Sequence, residues 1–216
     1  GVNWTKDALN NPVLTAGPSP WDAGWVTFVS VLFNPTDSLF HMWYSGRGDP
    51  DEYHPIYIGH ATSLDGSLWT KDMEPTLGPG VLGSWDDDAI IHPTVVLVND
   101  TLHMWYDGYR FGSDYSQIGH AISVDWQTWQ KDPANPVLTA GAQQDWDYPW
   151  LRASHVFHDG LRFHLFYTGG IHKEYDIGYA FSNNGTNWIK YPNPVMTKVS
   201  PGSWEGASLF TGSVLM

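Results

Sequence analysis

The sequence predicts an all-β fold in which one four-stranded antiparallel unit is used several times over. Two observations predict it. Four short motifs recur in fixed order about every 60 residues along the 216-residue chain. Aromatic residues make up 15% of it, with 13 Trp and 11 Tyr, a composition whose wide rings fill the space between packed sheets. Self-similarity at a period of this size marks a repeat architecture.

The elements follow from the motifs in order. A Trp-Asp anchor, Trp21-Asp22, Trp85-Asp86, Trp146-Asp147 and Trp204-Glu205, precedes an apolar run such as Thr94-Val-Val-Leu-Val, the first strand. His41-Met-Trp-Tyr, His103-Met-Trp-Tyr and His164-Leu-Phe-Tyr give the second strand. Ile58-Gly-His-Ala, Ile118-Gly-His-Ala and Ile177-Gly-Tyr-Ala give the third. The fourth begins at Trp4-Thr-Lys-Asp, Trp69-Thr-Lys-Asp, Trp129-Gln-Lys-Asp and Trp188-Ile-Lys-Tyr, at intervals of 65, 60 and 59 residues. Turn residues separate the strands: Asp65-Gly66, Asn99-Asp100, Asp159-Gly160 and Asn184-Gly185. No long segment has a helical period. Four-stranded units repeated this way are blades of a β-propeller.

The expectation is a single domain over 1–216 with repeats at about 4–68, 69–128, 129–187 and, in part, 188–216. That makes an isolated fourth strand from Trp4, three full blades, and the first strand of another from Glu205 to Met216. A five-bladed ring at this period takes roughly 80–90 more residues. The sequence therefore predicts missing chain, a second copy, or an open ring that self-associates through exposed blade edges.

Composition excludes several functions. The formal net charge is −13, from 10 Lys+Arg against 23 Asp+Glu. This argues against nucleic acid, which needs a basic face, and against anionic membranes and strongly acidic polysaccharides. Neutral oligosaccharides and polysaccharides stay compatible. With no cysteine, thiolate catalysis, disulfides and Cys-ligated zinc are excluded. The ten histidines form no ligand pattern independent of the repeat, so neither a metal nor another cofactor is expected. No apolar run reaches membrane-spanning length, and Gly1-Val2-Asn3-Trp4 is no signal peptide. The compartment is left open, with a secreted or periplasmic location compatible.

The motifs also carry a resemblance. Asn135-Pro-Val-Leu, then Trp-Asp, then a strand, then Met-Trp-Tyr-x-Gly, then Ile-Gly-His-Ala-x-Ser-x-Asp-Gly-x-x-Trp is similar to the five-bladed propellers of glycoside hydrolase families 43 and 130. The resemblance runs from Trp4 to Met216 and implies a carbohydrate-active propeller. Family 43 enzymes commonly present Asp-Pro at the start of an innermost strand, with the Asp as base or orienting carboxylate. The matching pair here is His92-Pro93, and Phe28, Ala153 and Thr211 stand there in the other blades. No residue of this chain inherits that Asp. Ser63-Leu-Asp65-Gly66-Ser-Leu-Trp69 approaches the Asp-box of sialidases but is one residue short, and reads as a turn.

Strand direction locates the chemistry. The second-to-third loops and the blade-to-blade links share one rim. They are the longer, variable connections, the usual place for function on a rigid scaffold. Residues that recur in every blade, Asp22, Asp86 and Asp147 or His41, His103 and His164, serve the blade. Residues that break the repeat are the candidates. From the first-strand side these are Trp25, Asp88, His92, Trp150, Arg152 and His155, with Glu205 standing where other blades have Asp. The second-strand side adds Arg47, Asp107, Tyr109 and Arg110, and the loops add Tyr53, His54, Tyr115, His172 and Glu174. Glycoside cleavage needs two carboxyl groups about the scissile bond, and the candidates are Glu205 as acid and Asp88 as base. A phosphorylase would replace water by phosphate and need Arg47, Arg110 or Arg152 nearby. The alternative is a propeller without catalysis that binds carbohydrate or another protein.

Overall fold

The computed structural model describes residues 3, 5–49, 55–110, 112–113, 115–171, 174–197, 209–210 and 212–213. They form three four-stranded blades. The first holds β1 (Trp25–Asn34), β2 (Leu39–Arg47), β3 (Ile56–Ser63) and β4 (Thr70–Lys71). The second holds β5 (Ala89–Val98), β6 (Thr101–Tyr109), β7 (Ser116–Ser123) and β8 (Gln130–Lys131). The third holds β9 (Trp150–His158), β10 (Phe163–Ile171), β11 (Glu174–Ser182) and β12 (Ile189–Lys190). Within each blade successive strands pair antiparallel. Adjacent blades touch edge to edge where β3 meets β5 in parallel at Ile56 and Ala89. No helix among the described residues is long and apolar enough to cross a membrane.

The turn chemistry read from the sequence closes the blades. Asp65 Oδ1 accepts the N–H groups of Ser67 and Leu68, Asp125 Oδ1 those of Gln127 and Thr128, and Asn184 Oδ1 those of Thr186 and Asn187. A side-chain oxygen thus does in each third-to-fourth turn what a backbone carbonyl would do. The Asp65-Gly66 look-alike is one of these turns.

Each fourth strand is only two residues long, and a charge holds it. Lys131 Nζ lies 2.5 Å from Asp86 Oδ2, and Lys190 Nζ 2.6 Å from Asp147 Oδ2. Lys71 pairs with Asp22 in the same way. The hydroxyls of Tyr44, Tyr106 and Tyr167 donate to the same carboxylates. The Trp-Asp anchor and the Lys of Trp-x-Lys-Asp are therefore two halves of one clasp, and these Asp residues are structural. The glycines of Met-Trp-Tyr-x-Gly are required by the Trp of the same anchor. A Cβ on Gly108 would meet the Trp85 ring at 2.2 Å.

Two aromatic cores lie between blades. Trp43, Ile58 and Leu77 of the first blade pack on Ile90, Val95 and Met104 of the second. Trp105, Ile118 and Leu138 of the second pack on Leu151, Val156 and Leu165 of the third. The recurrent histidines are core groups as well. Asp37, His41, His60 and Asp72 form a chain of side-chain contacts at 3.0, 2.9 and 2.8 Å. His103 repeats the inner contact with His120 at 3.0 Å.

Two expectations need correction or limits. The isolated strand expected from Trp4, itself outside the described residues, is not seen in its described part: Thr5, Lys6 and Asp7 are not in a strand. The last strand expected from Glu205 lies largely outside the described residues. Leu209, Phe210, Gly212 and Ser213 are not in a strand, although the Leu209 N–H donates to the Tyr175 carbonyl at 2.9 Å.

Candidate active site

The three first strands, β1, β5 and β9, stand side by side and line a channel of about 670 Å³. Each has a register shift in its upper half, opposite Tyr44, Tyr106 and Tyr167. An extra residue at such a bulge re-aims a side chain. In β1 the bulge residue is Phe28, at φ +47°, and in β5 it is His92, at φ +58°. The left-handed region disfavours a side chain by roughly 1–2 kcal/mol, so both positions are strained. Above the bulges lies the rim with the starts of β1, β5 and β9 and the ends of β2, β6 and β10. Below them lies the channel.

His92 is held from three strands. Its N–H donates to Ser45 Oγ of β2 at 3.1 Å. Its ring lies 3.8 Å, centroid to centroid, from the Phe28 ring of β1. Its Nδ1 lies 2.7 Å from Oδ2 of the buried Asp107 in β6. Asp107 occupies the position that is Ser45 in the first blade and Thr168 in the third, each set opposite the residue before the bulge or its counterpart.

Tyr109 stands two residues further along β6, on the same face. Burial, and after it the Asp107 charge, hold its phenol well above the usual range, against Arg152 and Ser116, which act to lower it. The Tyr109 ring lies 5.6 Å from that of Trp150 at the start of β9. Arg152, two residues into β9, lies over the Tyr175 ring at 5.3 Å and the Phe210 ring at 5.6 Å. The second and third blades thus bring together His92, Asp107, Tyr109, Trp150 and Arg152.

The remaining candidates sit elsewhere or undescribed. Asp88 is half-buried in the link before β5, its N–H donating to the Tyr109 carbonyl at 3.0 Å. Four residues of strand put it about 13 Å above His92. Trp25 and Arg47 face each other in register at the rim of the first blade, and Arg110 is exposed just beyond β6. His155 is below the bulge and lines the channel with His158. It is the counterpart of Ser30 and Thr94, whose hydroxyls accept N–H groups of the next first strand, from Val95 and Val156. Tyr115 and Glu174 are described, and the Tyr115 hydroxyl lies 2.7 Å from that of Tyr148. Tyr53, His54, His172 and Glu205 lie outside the described residues. Among the described residues no group of three or more His, Asp or Glu is placed to hold a metal ion. Sequence reasoning missed Phe28 and Ser45, which hold His92. Neither breaks the repeat in a way that signals a role.

No family model matches the chain. It is 24% identical over 164 residues to an uncharacterised protein of Mycobacterium tuberculosis, over 70% of this chain and 53% of that one. It is 31% identical over 144 residues to an extracellular exo-inulinase of Meyerozyma guilliermondii, over 60% of this chain and 26% of the enzyme. The chain thus spans about half the length of the first relative and a quarter of the second. A thermostable family 43 glycoside hydrolase superposes with a TM-score of 0.65 at 24% identity, over 83% of this chain and 58% of that one. A structure from family 130, described as a family of mannoside phosphorylases containing glycoside hydrolases that target β-1,2 mannosidic linkages, superposes with a TM-score of 0.70 at 14% identity, over 93% and 62%. The fold is that of the β-propeller glycosidases.

Proposed function

We propose that this β-propeller is carbohydrate-active, a glycoside hydrolase or glycoside phosphorylase that acts at the rim on neutral β-linked or furanosidic oligosaccharides. The observation that carries the reading is the convergence of the Tyr109–Trp150 ring pair with His92, Asp107 and Arg152 above one channel. Flat rings cover the apolar face of a sugar, while the His92 imidazole and the Arg152 guanidinium take its hydroxyls and the buried Asp107 carboxylate holds the imidazole. The net charge of −13 suits a neutral ligand better than an anionic one. The fold of the glycosidase propellers and the partial identity to an exo-inulinase support the same class.

In this reading Glu205 is the acid and Asp88 the base of an inverting displacement, a mechanism that requires its two carboxyl groups to be spaced widely enough to admit a water. In a phosphorylase, phosphate would take the place of that water, with Arg152 beside Tyr109 as the basic group proposed to hold it. The test is incubation with short inulin oligosaccharides, β-1,2-mannobiose and a wider neutral panel, with and without phosphate, measuring free sugar and sugar phosphate. Release is expected, with Asp88→Asn and Glu205→Gln lowering it at least about 100-fold while binding persists. The counterparts of Glu205 in the other blades are clasp carboxylates, so Glu205→Gln must also keep the wild-type unfolding midpoint. Absence of release across the panel would overturn the enzyme reading.

A second reading, a propeller that binds sugar without cleaving it, is favoured by His92, an imidazole where the resembled family has an Asp. It predicts binding that is lost in Trp25→Ala and Trp150→Ala, with no turnover.

A further inference from the structure

A neutral imidazole has one nitrogen that donates and one that accepts, and its neighbours decide which is which. The Nδ1 of His92 faces Asp107 Oδ2 at 2.7 Å. For a neutral ring beside an ionised carboxylate, which only accepts, the hydrogen sits on Nδ1 and the lone pair is left on Nε2. Nε2 has no partner among the described residues, and the side chain keeps 15% of its surface exposed. The ring cannot turn away. Ser45 fixes the backbone, Phe28 covers the ring, and the φ of +58° is retained. Strain held in place from several sides points to a side chain whose aim matters. The pair is also particular to this blade, because the other two carry Ser45 and Thr168 in place of Asp107.

We propose that His92 is a hydroxyl-recognition subsite, its Nε2 accepting the hydrogen of one sugar hydroxyl, and that Asp107 is the positioning residue that fixes this polarity. The inference rests on the carbohydrate reading of the rim and deepens it. The pair is met by Tyr109 from β6, which feels the Asp107 charge and is itself met by Arg152 from β9, and by Ser45 from β2 and Phe28 from β1. A ligand with a donor opposite Nε2 is accepted, and one lacking it leaves a buried lone pair unsatisfied, which is how a site rejects a deoxy sugar.

The experiment is nitrogen NMR of the His92 ring in the full chain, titrated with short inulin oligosaccharides and with β-1,2-mannobiose. The free protein is expected to show the Nδ1–H form. The sugar that binds should shift the Nε2 signal, and one of its monodeoxy analogues should bind at least about tenfold more weakly. Asp107→Ala removes the acceptor that holds the hydrogen on Nδ1, so the Nε2–H form should appear in the ring signals and affinity should fall by a similar factor. His92→Phe copies the residue that the first blade carries at its bulge. It should lose the same affinity without losing the fold. An Nε2–H form in the free protein overturns the inference whatever the ligand. A sugar that binds without moving the Nε2 signal, and equally well to His92→Phe, overturns the inference and leaves the carbohydrate reading standing. Failure of every sugar to bind removes both.

Discussion

Single residues carry this fold through buried polar contacts as much as through burial of apolar surface. His103 shows the consequence. Burial, and after it the nearby His120 and His158, lower it to about 4 from an ordinary value near 6.5. Burial also lowers His60 and His120. The unfolded chain therefore binds more protons than the folded one between about pH 6.5 and 4. Stability is complete above that window and is lost as the pH falls through it. Urea midpoints should be flat from pH 8 to 7 and drop from pH 6.5 downwards, with a shallower drop in His103→Asn. A midpoint independent of pH over that range would contradict it. The core role of these histidines was legible from the repeat alone, because a residue present in each copy serves each copy. The strain at His92 was not, since φ is set by a bulge that leaves no mark in residue type beyond the following proline.

At the scale of the element, the third-to-fourth turns differ in one place that matters. Trp105 Nε1 donates to the Gly185 carbonyl in the next blade's turn at 2.9 Å, and Trp188 Nε1 reaches the same carbonyl at 3.0 Å. In the second blade's turn the glycine is replaced by Trp126, at φ +68°. Trp126 stacks on Trp43 at 6.0 Å, and the indole N–H groups of Trp43 and Trp129 find no acceptor there. Trp43→Phe and Trp105→Phe remove the same atoms from equivalent strands. The Trp105 change should cost about 1 kcal/mol more, since it alone breaks a hydrogen bond, as measured by denaturant unfolding of the two variants. Equal costs would sink the account. Strand order and pairing were legible because the motifs name the strands. The brevity of β4, β8 and β12 was not, because a clasp joining residues over 40 positions apart replaces the ladder that a strand would need.

At the scale of the whole molecule, the described residues form three blades with two unequal ends. Val31, Val95 and Val156 hold one register position, opposite Met42, Met104 and Leu165. Val95 is 5% exposed and Val31 is 41% exposed. Leu77, Leu138 and Met196 hold another, bridged to Ile58, Ile118 and Ile177. The first two are 8% and 6% exposed, and Met196 is 56% exposed. These are the two faces that meet between blades inside the chain, and among the described residues each is exposed on one outer blade. The 216-residue chain is expected to self-associate with rising concentration, and Val31→Lys or Met196→Lys should each shift sedimentation towards the monomer. A wild-type monomer at all concentrations would refute this. The repeat made these faces foreseeable, whereas the site was legible only in part. The sequence picked out His92, Asp107, Tyr109, Trp150 and Arg152 as departures from the repeat, but not which of them touch. The clasp has a last consequence. Asp22 and Lys71, Asp86 and Lys131, and Asp147 and Lys190 stand 49, 45 and 43 residues apart, always inside one blade. A gene segment that encodes one such span carries its own fastener. Tandem duplication of that segment yields a blade already locked, so a lineage can gain or shed whole blades without inventing a new bond.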